Sequence, residues 1–239
     1  KRPFPMPCSL RDALARYCDL RSAPSRRMLA GLGPSLSDTA VRGRIDRLLA
    51  DPVALKIVQD ETVGFTQFEF WSALLGDAGV RLDAAAFLLH CPRQRPRPYT
   101  IASSPRVVPD RIHICASLLA VPSQQAVLDQ ALRELETRGV LPTGCPVPAR
   151  GKRFGLCSQW LCERVQAGDT VLACVRSSSF RLVEEDVPLV LVGAGAGVAP
   201  FRAFWSELAL RRRTSPVALI FGCRREDEDW IYRSEMLQA

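Results

Sequence analysis

The chain has 239 residues, 47% of them hydrophobic, enough to bury a core in one large domain or two small ones. Its longest apolar stretches are strand-sized, such as Val187 to Val192, well short of the ~20 residues of a membrane-spanning helix. No apolar run of the signal-peptide kind follows Lys1-Arg2-Pro3. The net charge of +7 favours anionic ligands or acidic partner surfaces, but the arginines are scattered, without the basic stripe and interleaved aromatics of a nucleic-acid binder.

The nine cysteines are irregularly spaced. Cys157 and Cys162 are the closest pair, and His90 and His113 are the only histidines, so no metal site is expected. Free thiols in a reducing compartment are the simpler reading.

Residues 1 to about 90 read as helical. Ser9 is placed to cap a helix from Leu10 to Cys18, with Leu10, Leu14 and Tyr17 on one face. A second helix starts near Ser37 and buries Ile45, Leu48 and Leu49, and Pro52 breaks or restarts it. Thr66 to Leu75 spaces Phe68, Trp71 and Leu75 as the core face of a third, and Asp83 to His90 forms a fourth.

The proline-rich run Cys91 to Pro98 ends helical character. Strands are expected at Tyr99 to Ser103, Arg111 to Leu119 and Thr170 to Val175, with Ile112 and Ile114 half-buried. Between the second and third of these strands, Ser123 to Arg138 reads as an inserted amphipathic helix, closed by a surface loop from Leu141 to Gly151.

From Val187 the pattern becomes βαβ. Val187 to Val192 suits a parallel strand covered on both faces. Ala199 to Arg211 is a helix with Pro200 in its first turn, ending on the cations Arg211-Arg212-Arg213. Pro216 to Phe221 is the next strand, and Trp230 to Gln238 a last helical segment.

Two motifs carry chemistry. Arg97-Pro98-Tyr99-Thr100 brings a cation, an aromatic face and a hydroxyl to one extended stretch. A basic loop followed by an ordinary strand explains it equally well. Gly193-Ala194-Gly195-Ala196-Gly197 forms a glycine-rich turn into a helix N-terminus, the geometry that accepts a pyrophosphate. The same turn opens S-adenosylmethionine methyltransferases, but these want an acidic residue after the next strand. Here Phe221 is followed by Gly222-Cys223-Arg224-Arg225, which suits a ribose bearing a 2′-phosphate.

The combined pattern resembles the ferredoxin–NADP reductase superfamily, and within it the diflavin reductases. Arg97 to Pro105 is similar to their R-x-Y-[ST]-I-A-S-S motif, and His113-Ile114-Cys115-Ala116 to the strand after it. Gly155 to Leu161 resembles their G-V-[ACT]-[ST]-x-W-L turn, and Arg176 with Phe180-Arg181-Leu182 their V-R-x-S-x-F-x-L segment. Phe221 to Arg233 matches G-C-R-R-x-D-E-D-[YF]-[LI]-Y-R, the form of the NADPH–cytochrome P-450 reductase branch. Pro3-Phe4-Pro5 through Leu20 is similar to the family's helical connecting domain.

The resemblance implies a helical connecting domain at 1–90, part of an antiparallel FAD-binding β-barrel at 91–183 with an insertion at 121–152, and the start of a parallel α/β NADPH-binding domain at 184–239. It implies FAD held by Arg97, Pro98, Tyr99, Thr100, Cys115, Ala116, Ser117, Gly155, Leu156, Cys157 and Ser158. NADPH falls to Gly193, Gly195, Ala196, Gly197 and Arg224, with Thr100 and Cys223 nearest the reaction. Electrons would pass to FMN on a domain outside this chain and then to a haemoprotein or other acceptor. Other members of the class, serving methionine synthase, sulfite reduction or iron–sulfur assembly, fit the same residues. A non-catalytic binding module is the reading from a different class, because Ala196 replaces the family's Thr in the glycine turn. The segment reads as an interior fragment, inactive alone, from a protein on the cytoplasmic side, with an endoplasmic-reticulum anchor conceivable upstream.

Overall fold

The computed structural model describes residues 7–76, 81–122, 124–145, 147, 149–211 and 213–238. Of the positions singled out in the sequence, Pro3, Phe4, Pro5, Ser123 and Arg212 lie outside them. The chain divides into two compact units, one of residues 1–96 and 121–153, the other of 97–120 and 154–239.

The first unit is helical, and its helices begin where short polar side chains satisfy the free N–H groups of a first turn. Ser9 accepts from the Asp12 amide at 3.0 Å and opens α1 (Leu10–Asp12), which continues as a widened turn over Ala13–Tyr17. Leu10, expected on the buried face, is half exposed. Ser25 caps α2 (Arg26–Leu32), a helix the sequence reading passed over. Asp38 caps α3 (Thr39–Ala50) through the amides of Ala40 and Val41. Asp51 caps α4 (Pro52–Gln59), so Pro52 restarts the helix at a position where no N–H is needed. Thr66 and Glu69 form a reciprocal capping box on α5 (Gln67–Leu75), and Asp83 caps α6 (Ala84–His90).

Met28, Leu29, Leu32, Ile45, Leu48, Phe70 and Leu74 are fully buried in one core, each worth roughly 1.5–3 kcal/mol of burial. The stripe on α5 differs from expectation: Phe68 is 67% exposed, while Phe70, Trp71 and Leu74 face inward. The inserted helix α7 (Gln125–Thr137) is not peripheral. Leu128, Leu132 and Leu135 join the same core, followed by Val140 and Leu141. The loop expected to be a surface excursion therefore starts on a buried anchor.

In the second unit the strands Leu189–Ala194 and Val217–Gly222 pair in parallel, Leu191 opposite Leu219 and Ala194 opposite Gly222. The connection runs through α9 (Ala199–Leu208), with Val198, Ala199 and Leu208 buried. Asp186 ties the two approaches together, accepting from the Thr214 amide and hydroxyl and the Ser215 amide. Among the described residues the sheet is not covered on both faces, contrary to the expectation from the apolar run. Leu191 is buried on one face, whereas Val190, Val192 and Ile220 stand exposed on the other.

No closed barrel is formed by the described residues. The strands expected at 99–103 and 111–119 are reduced to one antiparallel bridge, Ile101 with Ile114, and 170–175 has no ladder at all. Ile112 and Ile114 are 58% and 42% exposed. Alternation alone does not make a strand when no partner edge lies alongside to take its hydrogen bonds.

Candidate functional site

The strand Leu189–Ala194 delivers the chain to Gly195, whose φ of +49° is a conformation glycine adopts without steric cost. A short turn over Gly195–Val198 leads directly into α9, so the free N–H groups of a helix start gather there. Packing is tight beneath the turn and open above it. A Cβ on Gly193 would meet Val198 Cα at 3.0 Å and the Phe201 ring at 3.1 Å, while around Gly195 and Gly197 nothing lies within 4 Å. The turn thus offers bare backbone to a ligand, as a pyrophosphate requires.

Beside the turn is an open cleft of about 600 Å³. Its walls are Cys115, Ala116 and Ser117 on one side, Ala194, Gly195 and Ala196 on another, and Gly222, Cys223 and Arg224 with Asp229 and Ile231 on a third. The parallel register aligns Ala194 with Gly222, so both strands end at this cleft, where open parallel sheets bind ligands. Arg224 is almost fully exposed and donates to Asp229 at 3.2 Å.

A second group of residues forms around Tyr99. Burial and then a hydrogen bond with Cys157 push its phenol up to about 12, so it is a neutral donor with an intact ring. Cys157 belongs to α8 (Leu156–Gln159), which Gly155 precedes. The Gly155 amide donates to Leu119 O at 2.8 Å, and the Ser158 hydroxyl accepts from the Leu119 amide at 3.2 Å. A Cβ at Gly155 would lie 2.6 Å from Ser158 Oγ and 3.0 Å from Leu119 Cβ, so a side chain there would displace the Ser158 hydroxyl from the Leu119 amide. The Cys162 thiol approaches Ala116 O at 3.8 Å, linking this turn to the cleft wall.

The structure brings some of the positions read from the sequence together and leaves others apart. Cys115, Ala116, Ser117, Gly195, Ala196, Cys223 and Arg224 share one cleft, and Tyr99 meets Cys157 of the 155–158 turn. Arg97, Pro98, Thr100 and Leu156 are exposed, and none of them lines the cleft. Gly193 lies below the turn and acts on its packing. Phe180 of the 180–182 segment stacks on Phe204 of α9, centroids 5.5 Å apart.

Several contributors escaped the sequence reading. Asp229, Ile231 and Tyr232 lie inside the Phe221 to Arg233 motif, where the cue was present. Arg202 has no local cue. It follows the glycine turn on α9, and its partners come from distant segments: Ala102 O at 2.9 Å, His113 Nδ1 at 3.1 Å and both Glu235 oxygens at 2.7 and 2.9 Å.

Residues 1–129 match the FAD binding domain family, and residues 191–239 match the oxidoreductase NAD-binding domain family. The chain is 32% identical over 250 residues to human NADPH–cytochrome P450 reductase, covering 100% of this chain and 33% of that protein. It is 31% identical over 242 residues to the inducible nitric oxide synthase of Canis lupus familiaris, covering 97% of this chain and 18% of that enzyme. The nitric oxide synthase of Drosophila melanogaster is 30% identical over 243 residues, covering 96% of the chain and 16% of that protein. The chain thus spans a third or less of the length of these relatives.

Proposed function

The chain belongs to the diflavin reductase family of FAD- and NADP-binding oxidoreductases, and from that premise we propose that it is the segment of an NADPH-dependent reductase where hydride passes from nicotinamide to flavin. The carrying observation is the cleft that brings an open glycine turn, the 115–117 segment and Cys223-Arg224 together. When bound, NADPH supplies the hydride and FAD the ring that accepts it.

The protein's contribution is placement. Gly195, Ala196 and Gly197 expose backbone N–H groups to the nucleotide pyrophosphate, with Gly193 allowing the turn to sit close on α9. Arg224 pairs the ribose 2′-phosphate, and Cys223 stands at the nicotinamide side. Tyr99 stacks on the flavin ring. Arg97 and the amides of the 155–158 turn neutralise its pyrophosphate, and Thr100 offers a hydroxyl at the reactive edge. Electrons then leave for an FMN domain and a haemoprotein acceptor. The relatedness to a cytochrome P450 reductase supports that acceptor class.

The test is anaerobic mixing of the full-length, FAD-loaded polypeptide that carries this segment with NADPH. Bleaching of the oxidised flavin, with NADPH preferred over NADH, is the expected result. A protein that takes up no FAD, or whose flavin stays oxidised under NADPH, overturns the proposal.

A further inference from the structure

Tyr232 is the one non-glycine residue among those described with a positive φ, +57°. An aromatic residue stays in that conformation only where its surroundings enforce it, and such outliers cluster where geometry matters. The Tyr232 ring lies over the Arg202 guanidinium, whose Cζ is 4.8 Å from the ring centroid. Its hydroxyl meets the Cys115 thiol, and burial, followed by the influence of Cys115, raises the phenol above its ordinary pKa.

Arg202 is itself held on several sides. Nε and Nη2 donate to the two Glu235 oxygens at 2.7 and 2.9 Å, and Nη1 donates to Ala102 O at 2.9 Å. The same nitrogen is 3.1 Å from His113 Nδ1. A guanidinium only donates, so Nδ1 is the acceptor in this contact. The Ala102 amide in turn donates to His113 O at 2.8 Å. One cation on α9 therefore fastens Ala102, His113 and the Tyr232–Glu235 segment. His113 stands two residues before Cys115, the first residue of the cleft wall, so the hold of Arg202 on His113 reaches that wall through the backbone.

We propose that Arg202 and Tyr232 form a positioning pair that holds Cys115, and with it the 115–117 wall, at a fixed spacing from the glycine turn. This rests on the reading that flavin and nicotinamide meet in that cleft. Neither residue lines the cleft, so the pair acts on the rate at saturating nucleotide and not on nucleotide affinity.

The test uses the native FAD-loaded polypeptide and two conservative variants. Tyr232→Phe deletes only the hydroxyl and keeps the ring on Arg202. Arg202→Lys keeps the charge but loses the planar fork. The first readout is independent of turnover: alkylation of Cys115 by iodoacetamide, followed by peptide mass, with exposed Cys223 as internal control. Labelling of Cys115 should quicken severalfold in both variants while Cys223 is unchanged. Flavin reduction at saturating NADPH should slow by about tenfold, with NADP⁺ affinity held within about twofold. Unchanged Cys115 labelling in Tyr232→Phe overturns the proposal, and so does a loss of affinity matching the loss of rate. If Arg202→Lys does not fold, Tyr232→Phe decides alone. A wild type that takes up FAD but does not reduce it would defeat the functional reading, and the labelling result would still judge the positioning pair.

Discussion

The Arg150 guanidinium lies edge-on to the Glu69 carboxylate, Nε 2.6 Å from one oxygen and Nη2 2.7 Å from the other. Both side chains are almost entirely removed from solvent. Arg150 also donates to the carbonyls of Val63 and Gly64, while Glu69 closes the cap of α5. The pair fastens the end of the inserted segment to the start of a core helix. Removing one partner leaves a buried charge without compensation, so Arg150→Met and Glu69→Gln should each cost ~3–5 kcal/mol, and the double variant less than the sum. Urea unfolding of the four proteins measures this.

The same pair sets an acid dependence. Burial raises the Glu69 pKa, but Arg150 and the Thr66 amide and hydroxyl outweigh it and leave the carboxyl below its ordinary value. A group depressed on folding adds stability above its unfolded pKa of about 4.3, and that stability is lost as pH falls through the folded value. The advantage of wild type over Glu69→Gln in melting temperature should therefore shrink with acidification and be full near neutrality. A gap that widens toward low pH would contradict the assignment.

The glycine turn separates packing from binding. Gly193→Ala would drive a Cβ against Val198 Cα and Phe201, and should cost roughly 1–3 kcal/mol as an overpacked site. Gly197→Ala meets nothing within 4 Å. It should melt like wild type but bind NADP⁺ more weakly, because its methyl enters the space proposed for the pyrophosphate. Calorimetric titration and thermal melts of both variants distinguish the two effects.

How much of this was legible in the sequence depends on the range of the interaction that decides it. Ser9, Asp83 and the Thr66 start of α5 announced helix starts because a cap bonds to residues only two or three positions away. The glycine turn was equally readable, since its requirement is local backbone freedom. The strands expected at 99–103 and 111–119 were not, because a strand needs a partner edge and between these two stretches the pairing is reduced to the bridge of Ile101 with Ile114. Arg202 was invisible for the same reason, its partners being some 30 to 100 positions away. Ser25 was missed although Met28, Leu29 and Leu32 followed it at helical spacing.

The α5 stripe gives a sharper case of phase error. Phe68, Trp71 and Leu75 share one helical face, but Gln67, Glu69, Phe70, Trp71, Ala73 and Leu74 are the buried set. Phe70 packs edge-on against Phe65 and Trp71. Phe70→Ala should cost ~3–5 kcal/mol, while Phe68→Ser should be nearly neutral and improve solubility. Equal losses in the two variants would restore the stripe expected from sequence.

Tyr99 tests the flavin side. Its ring is held beside the 155–158 turn by the contact with Cys157. Tyr99→Ala should weaken FAD retention through lost stacking, by about 0.5–1.5 kcal/mol beyond the area buried. Tyr99→Phe keeps the ring and should retain the flavin nearly as well. Equal FAD content in wild type and Tyr99→Ala after dialysis would remove Tyr99 from the site.

Arg224 tests the choice of nucleotide. Its side chain is almost fully exposed at the cleft rim, and its pairing with Asp229 contributes little to stability. Arg224→Ala should therefore melt like wild type. The positions directly after the strand, Cys223, Arg224 and Arg225, carry no carboxylate, which suits a ribose phosphate better than a free diol. A charge-assisted hydrogen bond to that phosphate is worth roughly 1.5–3 kcal/mol. The substitution should lower kcat/KM for NADPH by about 10- to 100-fold and leave NADH nearly unchanged. The difference should narrow as ionic strength rises, because the contact lies in solvent. A wild type that uses NADH as well as NADPH, or a variant that loses both equally, would show that this arginine does not read the 2′-phosphate.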